Sequence, residues 1–138
     1  MTLVLDSSAL IRRYIADKHR PLVLDAMDNH DEWVVSALAR SEIELAIRHG
    51  APGPRVLASL WSVVRDDWEA FWQIPVDARC LRRATEIGAE YGLAMIDALT
   101  LAAADRLPRP VSFCTFARQQ IPAAAELGFT IVSPYDAF

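Results

Sequence analysis

The sequence predicts an α/β fold in which helices cover both faces of a central parallel sheet. Two observations carry this. Short apolar runs alternate with longer segments of helical periodicity, and the apolar runs lack the in-and-out alternation of a half-exposed strand. A third sets the scale: 138 residues fit one domain, 1–138, and a hydrophobic content of 53% is enough to fill a real core.

Taken in order, Thr2–Leu5 reads as a buried strand and the segment from Ser8 to about Ile15 as a helix, with Ser7 or Ser8 available as N-cap. "EWVVSAL" is a second strand by its aromatic and β-branched content. "ARSEIELAIRHG" is a helix that stops at Gly50, and "APGP" is a connection. From Arg55 to Trp72, the residues Leu57, Leu60, Trp61, Val64, Trp68 and Phe71 recur at helical spacing and form one apolar stripe. "WQIPV" reads as a short strand because Pro75 sits badly inside a helix, Asp77 caps the helix that follows, and Gly92 ends it. Ala94–Leu107 is a helix so apolar that it must be buried. "PVSFCT" is a strand, "ARQQIPAAAELG" a helix with Pro122 early and Gly128 at its end, and "FTIVSP" a last strand.

Composition narrows the function classes. No apolar stretch reaches the ~18 residues of a membrane span, and the chain enters a strand at once, without a charged leader; both features predict a cytoplasmic protein. Cys80 and Cys114 have neither C-x-x-C nor zinc spacing and read as buried thiols. A net charge of −4 argues against nucleic-acid binding through bulk positive charge but leaves room for a local basic patch. The glycines form no phosphate-binding loop, and His19, His30 and His49 lie in polar stretches without a visible partner.

The acids are more informative. In "MTLVLDSSALIRRY" a buried strand stops on a carboxylate, at the strand end where parallel sheets build their sites. Asp6 reads either as an N-cap or as a site residue, and Ser7 and Ser8 weaken the first by capping equally well. Glu44 has Arg40 and Arg48 one turn away on either side and belongs to a solvated face. Glu42 instead has Leu38, Leu45 and Ala46 at those spacings, so it must be protonated, paired or bound to a metal. Asp97 has no Lys or Arg within a turn; its other reading is a first-turn acid favoured by the helix dipole, which requires the helix to start at Met95. Asp105, about 12 Å along the same helix, is a terminal surface acid. Three such carboxylates are most simply explained if they converge on a shared cation, and oxygen ligands suit Mg²⁺ or Mn²⁺.

Four stretches, "LVLDSSAL", "SEIELA", "MIDALTLAAA" and "SFCTFAR", stand in the order and spacing of the PIN domain, and the chain resembles that family over essentially its whole length, the VapC-type toxins of toxin–antitoxin pairs in particular. The resemblance implies a three-layer α/β/α sandwich and Mg²⁺- or Mn²⁺-dependent endonucleolytic cleavage of RNA. It implies that Asp6, Glu42 and Asp97 are the acidic metal residues and that Ser7 and Thr115 line the pocket. Many relatives carry a fourth acid where this chain has Ala117. The resemblance further implies a VapB-like antitoxin and a homodimer, with Trp61, Trp68 and Trp72 on one helix offering the partner groove.

Acids repel RNA until a cation arrives, so basic residues near the segment ends, Arg12, Arg13, Arg40 and Arg118, are the candidates for holding its backbone. A degenerate PIN domain that binds RNA or a protein without cutting is the alternative. A phosphotransfer domain using Asp6 as nucleophile is disfavoured, because Ser7 and Ser8 stand where a Lys or second Asp is needed.

Overall fold

A computed structural model describes residues 1–135. Five parallel strands form one sheet: β1 (Thr2–Leu5), β2 (Glu32–Ser36), β3 (Trp72–Ile74), β4 (Val111–Cys114) and β5 (Thr130–Val132), in the order β3-β2-β1-β4-β5. Among the described residues the helices are α1 (Ser7–Tyr14), α2 (Arg20–Asp28), α3 (Ala39–His49), α4 (Pro54–Ala70), α5 (Ala78–Tyr91), α6 (Met95–Asp105) and α7 (Ile121–Glu126), the last preceded by a 3₁₀ turn over Arg118–Gln120.

Alternate residues of each strand point to opposite faces, and both faces are apolar. Leu3, Leu5 and Val35 pack with Leu10, Ile43, Val64 and Trp68 under α1–α4. Val4, Val34 and Phe113 pack with Ile87, Leu101 and Ala123 under α5–α7. The result is the expected three-layer α/β/α sandwich. Gly88 lets α6 begin close against α5, since a Cβ there would stand 3.2 Å from the Leu93 carbonyl oxygen. Gly92 ends α5 in the left-handed region, at φ 67°.

Three sequence expectations change. The segment between α1 and β2 carries a helix, α2, with Pro21 in its first turn. Trp72 is not on the long helix: α4 stops at Ala70, and Trp72 opens the edge strand β3, 67% exposed. The helix of "ARQQIPAAAELG" is shorter, because the residues before Ile121 wind as a 3₁₀ turn.

Order reverses between β1 and β4, since the chain leaves β1 toward β2 on one side and reaches β4 on the other only much later. Crevices at such a switch point, outside the carboxyl ends of the strands, are where open α/β sheets place ligands. Register sets Leu5 opposite Cys114, and the Asp6 N–H donates to the Cys114 carbonyl at 3.0 Å. Asp6 and Thr115 therefore leave the two central strands side by side.

Candidate active site

Asp6 holds the N-cap position of α1, and its backbone carbonyl accepts from Ala9 and Leu10. Its carboxylate makes no capping hydrogen bond. Instead Oδ2 accepts the Ser8 hydroxyl at 2.5 Å, and Ser8 Oγ is in turn fixed by the Phe116 N–H at 2.9 Å. Asp6 is only 6% exposed. Burial pushes its pKa up, opposed by Ser8, and the charge of Asp97 pushes it in the same direction as burial.

Glu42 lies in the first turn of α3, half-buried, and Ile43 and Ile47 seat the helix on the sheet. Desolvation raises its pKa, the Ser7 hydroxyl works against the rise, and the charges of Asp6 and Asp97 add to it. Asp97 stands in the first turn of α6, which starts at Met95, so the helix-dipole reading of this acid has its geometry. That does not remove it from the site, since Asp97 acts electrostatically on both other acids. Structure thus brings Asp6, Glu42, Asp97, Ser7 and Thr115 into one neighbourhood at the carboxyl ends of β1, β2 and β4. Asp105 faces elsewhere, paired with Arg83 at 2.9 Å and Arg109 at 2.6 Å.

No ion pair neutralises the three acids among the described residues. Nor do any three His, Cys, Asp or Glu side chains there stand close enough to form a preassembled cage. An all-oxygen donor set, one member buried and two half-buried, with no basic partner, fits a hard divalent cation that keeps much of its own water and takes only one or two carboxylates directly. It does not fit a zinc site, which wants nitrogen and sulfur.

The four arginines divide. Arg12 donates to the Ser8 carbonyl and lies 3.9 Å over the Phe116 ring, which puts its charge beside the pocket. Arg118 lies 4.2 Å over the Tyr135 ring, two residues beyond Phe116. Arg40 pairs with Glu44 at 3.1 Å, as its spacing requires. Arg13 is used elsewhere: it grips Asp67 of α4 with two hydrogen bonds of 2.6 and 2.9 Å, and is not a free contact for RNA.

Sequence reasoning missed three polar side chains. Ser8 is the hydroxyl partner of Asp6, while Ser7 serves Glu42. Gln119 Nε2 donates to Asp97 Oδ2 at 3.0 Å. Gln120, wholly buried, donates from Nε2 to the Asp97 carbonyl at 3.1 Å, while its Oε1 lies 2.6 Å from Thr115 Oγ1. The "ARQQ" stretch reads as ordinary helix surface, and only the 3₁₀ turn aims both amides at α6.

The family model of the PIN domain matches residues 3–108. No curated protein matches in sequence. Among solved structures, the chain is similar to one in a toxin–antitoxin complex from Klebsiella pneumoniae, at TM-score 0.67 and 18% identity over 97% of this chain and 98% of that one. It is also similar to one in VapBC2 from Rickettsia felis bound to a DNA fragment from its promoter, at TM-score 0.66 and 12% identity over 99% and 100%. Identities this low bear on the fold alone.

Proposed function

The chain belongs to the PIN domain family, and from that premise we propose that it is an Mg²⁺- or Mn²⁺-dependent endoribonuclease, the toxin of a VapBC-type pair. The single observation behind the activity is the uncompensated acid pocket: burial and the charge of Asp97 raise the cost of ionising Asp6 and Glu42, and among the described residues the three acids have no basic partner. Such a pocket calls for a cation. Similarity in fold to chains of two toxin–antitoxin assemblies supports the toxin role.

In this reading Asp6 and Asp97 hold the ion, directly or through water, with the Ser8 hydroxyl fixing the orientation of the Asp6 carboxylate. When bound, a divalent ion supplies a lower pKa for water and positive charge against the developing charge of the phosphate. Glu42, half-buried with its pKa raised by desolvation, is the carboxylate suited to orient the attacking water and take its proton. Arg12 and Arg118 hold the RNA backbone at the rim, each steadied on an aromatic face.

An apolar groove supports the antitoxin part of this reading. A groove of about 280 Å³ lies between the ends of α1 and α3 and the start of α4, lined by Tyr14, Ile15, Ile47, Val56 and Leu60. It suits one apolar helix face. The three tryptophans do not share one helix face: Trp68 is buried in the core, Trp72 is on the sheet edge, and Trp61 is half-buried against the core with the Arg48 guanidinium 5.3 Å over its ring.

The test is cleavage of a mixed RNA pool by purified protein with Mg²⁺ or Mn²⁺, with EDTA and Asp97→Asn as controls. Cleavage abolished by both controls is the expected result. No cleavage together with no metal binding would replace the nuclease by the degenerate, non-cutting PIN domain.

A further inference from the structure

We propose that Gln120 is a positioning residue, one that turns a Thr115 lone pair toward the cation and fixes the seat of Asp97. The inference rests on the metal-site reading above. It begins with proton counting. Thr115 Oγ1 lies within reach of both Asp6 Oδ2, at 3.2 Å, and Gln120 Oε1, at 2.6 Å, but has one proton to donate.

Gln120 decides between them. Its Nε2 faces the backbone carbonyl of Asp97, which can only accept, so its Oε1 faces Thr115 and must receive a proton there. Reversing the amide would set two acceptors against each other at Asp97. The Ala117 N–H fills one Thr115 lone pair at 2.9 Å. The remaining lone pair faces the Asp6 carboxylate and Ser8 Oγ, 3.4 Å away; with the Ser8 proton given to Asp6 Oδ2 in the shorter contact of 2.5 Å, Thr115 and Asp6 meet as two acceptors, which a cation between or beside them would relieve. One buried amide thereby joins the carboxyl end of β4 to the first turn of α6. It brings order, without charge, next to position 117, where this chain has Ala.

The experiment is calorimetric titration of the full chain with Mn²⁺, comparing wild type, Gln120→Met, Thr115→Val and their double variant. Partners that orient metal ligands typically contribute 10- to 100-fold in affinity. Gln120→Met, which keeps volume and removes both polar ends, is expected to weaken Mn²⁺ binding by about that factor while circular dichroism shows a folded protein. Adding it to Thr115→Val is expected to weaken binding less than it does alone, since part of its effect passes through the shared hydrogen bond.

Binding by Gln120→Met within about twofold of wild type overturns the proposal and leaves the metal site standing. Failure of wild type to bind Mn²⁺ overturns both. Should Gln120→Met not fold, Thr115→Ser and Thr115→Val replace it: Ser, which keeps the hydroxyl, is expected to bind as wild type and Val to bind more weakly, and equal affinities overturn the proposal.

Discussion

Asp6 and Asp67 are buried to the same degree, each 6% exposed, in surroundings of opposite kind. Asp67 receives two hydrogen bonds from Arg13 and one from the Tyr14 hydroxyl at 2.7 Å, so its charge is matched inside the protein. The pair holds Arg13 firmly protonated and pushes the Tyr14 pKa up, chiefly by burial and then by the bond to Asp67. Asp6 receives a serine hydroxyl and faces two further acids. The Asp67 carboxylate, with a cation of its own, ties α1 to α4; Asp6, without one, is the carboxylate on which the proposed metal site rests.

The largest expected effect breaks the matched side. Asp67→Ala strands Arg13 and leaves the Tyr14 hydroxyl without its acceptor, and breaking a buried pair from one side costs about 3–5 kcal/mol. Urea unfolding should show that loss, and Mn²⁺ binding by the protein that remains folded should be unchanged.

Next comes the unmatched side. A divalent ion at 100 times its dissociation constant adds about 2.7 kcal/mol of stability, because it binds only the folded chain. Thermal melts with and without Mn²⁺ should show the rise in wild type and not in Asp97→Asn.

Smaller, and opposite in sign to the first, is the pH dependence of the metal-free protein. Folding raises the pKa of Asp6 and Glu42, mainly by desolvation. The folded state therefore binds more protons than the unfolded one between the ordinary carboxylate range near pH 4 and the raised values. The contribution of these two groups is full below that window and is lost as pH rises through it. Asp6→Asn removes one of them, so wild type minus Asp6→Asn stability should fall with rising pH, and saturating Mn²⁺ should cancel the fall.

The smallest effect is a control for charge as such. Arg40→Ala removes an exposed pair with Glu44 and should cost only about 0.3–0.5 kcal/mol, erased by salt.

Much of this was legible in the chain. Asp6 stood out because an apolar strand ended on it, and that is where the switch point lies. Asp97 stood out because nothing basic was within a turn. For Glu42 the argument from apolar neighbours is weaker: Leu45, one of them, is 55% exposed, and Glu42 itself is half-buried. What stayed hidden depends on contacts between distant segments. The hold of Ser8 on Asp6 depends on an N–H that comes from Phe116, and the contacts of Gln120 depend on α6 lying across the turn. Helix α2 was missed for lack of a strong periodic face, although Pro21 at its start was an available signal.

The order of the sheet has a consequence for the ribosome. Residues that build the pocket come from positions 6, 42, 97 and 115–120, and the strand beside β1 on that side is the fourth to be synthesised. At about 5–20 residues added per second, the nascent chain spends most of its synthesis with Asp6 lacking Thr115 and β1 lacking β4. A site laid out this way is complete only once its last segments emerge.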